Sequence, residues 1–242
     1  MPNDVVIKPM TEEFILWRCL HQGPLDAATI EKGNRAARRD VNLALLTKLI
    51  RTYGTCAMLA WDRDQVVGYL RFYPKAIASF TEAGFMLGMC LQQPPPAGPS
   101  ESVLERRFPP LAEIEDKTLR VHCLMTGSPF VSKNTYQRKG IGTRMARALM
   151  EWAAANGWTA VEAMAFEDIN FLYSHTGQAG LAFWAKLGFT VVRKGIEPFL
   201  AQENDFSRKL RAAAQAEGFD LAGIANVYTM RFELAVRGAH AS

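Results

Sequence analysis

Cysteine is scarce in this sequence: four residues in 242, at Cys19, Cys56, Cys90 and Cys123, with no CxxC pair among them. That spacing argues against a disulfide framework and against a structural zinc site, and no metal is expected. The thiols read as small buried hydrophobes of a reduced, cytoplasmic protein. Charge of one sign is also in short supply. Lys and Arg number 28 against 24 Asp and Glu, a net +4 scattered along the chain. So mild an excess gives no footing for a nucleic-acid partner or an anionic membrane surface. Long apolar runs are missing too: nothing approaches the roughly eighteen residues that a membrane span requires. The first eight residues include Asp4 and lack the long apolar core of a secretory signal, so such a signal is not expected either.

What is present suits a soluble folded chain. Hydrophobic residues make up 49%, enough to build a sizeable core at this length in one or two domains. A short β-like start, Val5-Val6-Ile7, leads to Thr11-Glu12-Glu13, which has the pattern of a capped helix N-terminus. Gly23-Pro24 would break that helix. A second helix is expected over about 40–53, with Leu43, Leu46, Ile50 and Tyr53 on one face and Gly54 as its stop. Stretches 55–61 and 65–73 read as an antiparallel hairpin turned by Asp62-Arg63-Asp64.

Residues 74–118 interrupt this order and are taken as an insertion. The proline-rich run 92–99 and Pro109-Pro110 exclude helix there, while Phe85, Met86, Leu87 and Met89 are too apolar for a solvated loop. That apolar run would line a site, cover the sheet or meet a second copy, so a homodimer is among the expected arrangements. The regular order resumes with strand 119–126, helix 143–155, strand 159–166, helix 178–187 and strand 189–193. A helix over 206–216 follows. The last strand alternates Tyr228, Met230, Phe232 and Leu234 with Thr229, Arg231 and Glu233.

The most informative segment is Tyr136-Gln137-Arg138-Lys139-Gly140-Ile141-Gly142-Thr143, which opens directly into a helix with Met145, Ala148, Leu149 and Trp152 on one face. Glycines ahead of a helix let backbone approach a ligand, and first-turn amides point N–H groups at it, an arrangement that suits a pyrophosphate. A Walker A loop is absent. A dinucleotide fingerprint fails because Met145 stands where its third glycine belongs. A bare helix start with no ligand is the plain alternative for a lone G-x-G.

Gln137-Arg138-Lys139-Gly140-Ile141-Gly142 resembles the [Q/R]-x-x-G-x-G/A acyl-CoA loop of the GNAT superfamily of N-acyltransferases. Ala182-Phe183-Trp184-Ala185-Lys186-Leu187-Gly188-Phe189 resembles the same family's F-Y-x-K-x-G-F signature, and the order of elements over 119–193 matches as well. The resemblance implies one α/β (α+β) domain over 1–242: a mixed, mostly antiparallel central sheet flanked by helices, with the acyl-CoA-binding core at about 119–193. It implies transfer of an acetyl or other acyl group from acetyl-CoA, or another acyl-CoA, to an amine by direct attack in a ternary complex. By motif position, Gln137, Arg138, Lys139, Gly140, Ile141, Gly142 and Thr143 would hold the pyrophosphate. Leu124, Met125 and Thr126 would contact the pantetheine, although an ungapped alignment would put Phe130, Val131 and Ser132 there instead.

Two departures from the family pattern stand out. Trp184 occupies the place of the tyrosine that often protonates the leaving thiolate, and indole is no general acid. Gly177 replaces the asparagine usual near the start of that helix. Among other titratable groups, His122 is the base candidate, since imidazole titrates near neutrality; a structural histidine is the alternative. Glu162, flanked by Val161 and Ala163, is either a second base or an edge charge. Tyr173 is the preferred replacement acid, with His175 beside it, and a packing aromatic is the plain alternative. A non-catalytic acyl-CoA-binding or sensing protein on the same fold is the competing function.

Overall fold

The computed structural model describes residues 5–18, 34–77, 107–127, 135–176 and 179–235, with the side chains of 34–38, 174 and 176 left aside. Cys19, Cys90, Gly23-Pro24, most of the 74–118 insertion with its apolar run, Phe130 to Ser132 and Gly177 lie outside the described residues. Among the described residues, seven strands form one sheet: β1 Val6–Pro9, β2 Ala57–Asp62, β3 Gln65–Pro74, β4 Thr118–Thr126, β5 Ala160–Ala165, β6 Thr190–Ile196 and β7 Asn226–Glu233. Their order is β1-β2-β3-β4-β5-β7-β6. Every neighbouring pair is antiparallel except β4 and β5, so the sheet is mixed and mostly antiparallel. The helices are α1 Asn34–Tyr53, α2 Ile141–Ala155, α3 Asn170–Thr176, α4 Leu181–Ala185, α5 Pro198–Ala201 and α6 Asp205–Ala216.

The hairpin expected at 55–73 forms, and Arg63 takes a left-handed φ of 53° at its turn. Helix α1 starts earlier than expected and buries Leu45, Leu46, Leu49, Ile50 and Tyr53, leaving Leu43 half-buried. The helix expected from Thr11 is corrected. Thr11 and Phe14 bridge in a tight turn, with the Phe14 amide donating to the Thr11 carbonyl at 3.2 Å, and residues 15–18 are not helical. The threonine closes a turn there because the next apolar residues, Phe14 and Ile15, pack as individuals rather than on one helical stripe.

Helix α2 buries Ile141, Met145, Ala146, Leu149 and Ala153 on one stripe, packed on the sheet. Close approach depends on Gly68 of β3. A Cβ there would lie 2.8 Å from the Ala60 Cβ and 3.0 Å from the Met145 Cε. Gly68→Leu is therefore expected to cost about 2–3 kcal/mol through overpacking. A drop of several degrees in Tm checks this; an unchanged Tm contradicts it. A second, smaller core joins Phe166, Ile169 and Leu172 to Leu200, Leu210 and Ala214 of the C-terminal helices. Helix α6 begins with a capping box in which Asn204 and Ser207 satisfy each other's backbone amides.

Candidate functional site

The sheet opens between its two parallel strands. Thr118 to Val121 of β4 pair with Ala160 to Ala163 of β5, and there the pairing stops. Strand β4 runs on to Thr126 paired with β3 alone, while β5 runs on to Ala165 paired with β7. The register of β3 against β4 slips at this point: Phe72 pairs with Val121 and Arg71 with Cys123, which leaves His122 as a bulged residue. A bulge bends its strand and increases the local twist, so it turns the end of β4 out of line with β5. The result is a cleft flanked on one side by residues 122–126.

Helix α2 starts at this cleft. The loop before it is tied to the β2–β3 turn by Tyr136, whose hydroxyl donates to Asp62 Oδ2 at 2.7 Å. Arg138 and Gly140 then adopt left-handed φ values of 58° and 73°. Gly140 is the N-cap, and a Cβ there would meet nothing within 4 Å, so its glycine serves the backbone conformation rather than space. Among the described residues no side chain caps α2, and no acid lies in its first turn. The amides of Ile141, Gly142 and Thr143 have no hydrogen-bond acceptor among the described residues. These donors sit at the positive end of the helix dipole, with Gln137, Arg138 and Lys139 exposed beside them.

Gly142 forms the inner rim of the cleft. A Cβ on it would lie 3.6 Å from Phe183 Cε2 and 3.7 Å from Leu124 Cδ2. Phe183 arrives there because the end of β5 carries α4: Phe166 bridges Gly180, and Asp168 Oδ2 accepts the Ala182 amide at 2.9 Å. Of the strand-end residues, Leu124 and Thr126 turn toward the α2 side with their β3 partners Leu70 and Gly68, and Met125 turns to the opposite face with Tyr69. The Ile141 side chain is core, which leaves its amide as the group available to a ligand.

Tyr173 meets the same cleft from α3, with its hydroxyl 3.4 Å from Thr126 Oγ1. Burial pushes its phenol above the ordinary tyrosine range, the Thr126 hydrogen bond pulls it partly back, and the charge of Cys123 pushes it up again. It is therefore a protonated group at neutral pH. His122 is nearly buried on the bulge, with Nδ1 3.2 Å from the Tyr73 hydroxyl. His175 stacks on Phe171 at 4.1 Å and engages the Phe171 carbonyl through Nδ1 at 2.8 Å. Trp184 is fully buried between Phe183 and Phe189.

Glu162 is not gathered with these groups. It lies in the last paired rows of β4 and β5, where its Oε1 takes Lys75 Nζ at 2.8 Å and Arg231 Nη1 at 3.0 Å. Asp116 binds the same lysine at 3.2 Å and Glu233 pairs with Arg231, so the carboxylate belongs to a five-membered charge cluster that links the ends of β3 and β4 to β5 and β7. Glu162→Ala would remove the carboxylate shared by Lys75 and Arg231 from a nearly dry site, leaving Asp116 and Glu233 as their partners. It is expected to lower stability by about 2–3 kcal/mol, less than for a fully buried pair because Lys75 is partly solvated. Chemical denaturation checks this, and a loss of acyl-transfer chemistry with stability intact would contradict it.

Solved acetyltransferases are among the structures to which this chain is similar. An IAA acetyltransferase from Bacillus cereus is 14% identical, with 96% of this chain and 100% of that chain covered at a TM-score of 0.44. An acetyltransferase of the GNAT family from Streptococcus pneumoniae is 10% identical, with 96% and 100% covered at 0.47. A putative acetyltransferase from Salmonella typhimurium, solved with its cofactor acetyl-CoA, is 14% identical, with 96% and 95% covered at 0.46. No family model matches the sequence, and no curated protein matches it.

Among the described residues, no three His, Cys, Asp or Glu side chains come together to hold a metal ion. No described helix is long and apolar enough to cross a membrane. The cleft residues that sequence reasoning missed are those placed by pairing at a distance. Phe183 stands in the sequence only as part of the F-Y-x-K-x-G-F-like signature, and neither it nor Asp168 is assigned to the cleft until the Phe166–Gly180 bridge sets α4 beside Gly142. The asparagine-free start of α4 had one visible signal, since Asp168 is an acid preceding a helix and supplies the missing cap from fourteen residues away.

Proposed function

We propose that this protein is an acyl-CoA-dependent acyltransferase of the GNAT type, with an amine as acceptor and acetyl-CoA as the expected donor. The observation that carries the reading is the meeting of the uncapped, glycine-opened start of α2 with the parting of β4 and β5. The residues fit the donor: three amides without acceptors among the described residues and an adjacent Arg138-Lys139 pair suit a pyrophosphate, and the buried strand end Leu124 to Thr126 suits an extended pantetheine. The thioester supplies an activated acyl carbon. Freed backbone N–H groups of β4 beyond Val121, where no β5 partner remains, are placed to orient it and to stabilise charge on its oxygen.

In the transfer a C–N bond forms as the C–S bond breaks, and the sulfur leaves with the bonding pair. Tyr173, kept protonated by its burial, is placed to give that sulfur a proton. His122, on the bulge, is placed to take the proton the amine loses. Trp184 supports a second reading, since a buried indole stands where the family commonly has its acid. On that reading the protein binds acyl-CoA without transferring. Calorimetric titration with acetyl-CoA, with NAD as control, followed by thiol release across a panel of amines, separates the two. Binding with turnover supports the acyltransferase, binding without turnover supports the sensor, and no binding overturns both.

A further inference from the structure

Strands β6 and β7 pair antiparallel, and a turn of about two to five residues would be enough to join them. Residues 197–225 stand there instead and build α5 and α6. These helices close the second core over α3, where Leu200, Leu210 and Ala214 meet Phe166, Ile169 and Leu172. Helix α6 is well set by its own sequence: the Asn204–Ser207 capping box opens it, and Glu203 pairs with both Arg208 and Arg211. Helix α3 is not. Its seven residues fall well short of the roughly 12–15 at which an isolated helix persists in water, so its place is decided by what it packs against.

Contacts along its whole length join α3 to α6. At its start the carboxylate of Glu217, the C-cap of α6, accepts from Asn170 through the backbone amide at 3.3 Å and Nδ2 at 3.0 Å. An acid in that place also complements the positive end of the helix. In the middle, Leu172 is buried in the same core as Leu210 and Ala214. On the outer side Phe171 and His175 stack on each other and lie against Phe206, with ring centroids 5.1 and 5.9 Å away. Tyr173 is two residues from each of them, a spacing that turns it roughly 200° round the helix. It accordingly meets Thr126 on the cleft side. The side of α3 that α6 holds is the back of the side that carries Tyr173.

We infer that Phe206 and Glu217, both in the connection between β6 and β7, are positioning residues for the transfer: they hold α3 so that the Tyr173 hydroxyl stands where the sulfur leaves. The inference rests on the acyltransferase reading above, with Tyr173 as its acid. Phe206 and Glu217 act only through α3, from its far side. A proton donor works within hydrogen-bond reach of the atom it protonates. Misplacing a reacting group by about 1 Å costs on the order of a hundredfold in rate, so a modest loosening of α3 is enough to matter. The amides of Ile141 to Thr143 belong to α2, which packs in the main core and not in this one. Loosening α3 therefore lowers turnover and leaves acetyl-CoA binding alone.

The test places Phe206→Ala, Glu217→Ala and Glu217→Gln in wild type and in Tyr173→Phe. Glu217 is exposed, so its variants keep the test open even where Phe206→Ala does not fold. Amide hydrogen exchange over 170–176 reads the hold on α3 without any acceptor. It should quicken about fivefold or more in both alanine variants, and less in Glu217→Gln, which keeps an accepting oxygen. With acetyl-CoA and the fastest amine of the panel, kcat should fall about 5- to 20-fold in Phe206→Ala and about threefold in Glu217→Ala. The Kd for acetyl-CoA should stay within about twofold. In the Tyr173→Phe background the same substitutions should lower kcat by less than about twofold, because the hydroxyl they position is already gone. Unchanged exchange over 170–176, unchanged kcat in the folded single variants, or equal losses with and without the Tyr173 hydroxyl overturns the inference and leaves the acyltransferase reading standing. Acetyl-CoA binding without turnover, or an unchanged kcat in Tyr173→Phe itself, removes the acid first and the inference with it. Protein that fails to bind acetyl-CoA overturns the acyltransferase reading before either.

Discussion

Gly142→Glu is expected to lower acetyl-CoA affinity at least a hundredfold while the protein stays folded. The Cβ of any residue here would make ordinary contacts with Phe183 and Leu124, at 3.6 and 3.7 Å, so the substitution need not disturb packing. Helix propensity even favours it over glycine. The added carboxylate, however, would project into the mouth of the cleft beside the Ile141, residue-142 and Thr143 amides, which have no acceptor among the described residues. It would compete with the pyrophosphate for them and repel it. Calorimetry of acetyl-CoA binding, with the Tm of the variant as the control for folding, decides the matter. Binding unchanged in a folded variant would mean that the glycine loop serves structure alone. Gly142→Ala is the companion: the fold is kept and affinity falls by much less, because it adds a methyl without charge.

Tyr173→Phe is expected to reduce kcat by about 10- to 100-fold with little change in acetyl-CoA affinity, the range in which loss of a general acid falls. The substitution removes only the hydroxyl that faces Thr126 and keeps the ring in place. The sign of the pH dependence follows from burial. Tyr173 acts as an acid in its protonated form, which persists below its pKa and is lost as pH rises through it. Because burial moves that pKa upward, the falling limb of the wild-type profile belongs above pH 10. The limb that rises with pH reports the acceptor amine losing its proton and should survive in Tyr173→Phe. An unchanged kcat would leave Tyr173 a packing aromatic and return weight to the non-catalytic reading that Trp184 invites.

Much of the architecture was legible in the chain because it depends on near neighbours. The apolar stripe Met145, Leu149 and Ala153 fixes α2 through contacts three and four residues apart, and the alternation of β7 fixes which residues share a face. The glycine loop was legible for the same reason, since left-handed φ values at Arg138 and Gly140 and a helix start are local events. The Thr11 helix was misread on local grounds as well: a good cap and two acids were present, but no apolar stripe followed to pack the helix down.

The sequence by itself determined most of the elements, their order and the open amides at Ile141 to Thr143, because each follows from backbone conformation and short-range side-chain spacing. Only the tertiary structure decided which of the acids and arginines meet. Glu162 looked like a base candidate because its neighbours are apolar, but strand pairing brings Arg231 to it from sixty-nine residues away and the end of β3 brings Lys75 from eighty-seven. Tyr173 and Thr126 meet across forty-seven residues, and Glu217 reaches Asn170 across another forty-seven. Register across a sheet is set by the summed fit of whole strands and their bulges, here the single extra residue at His122, and no window of sequence contains that sum.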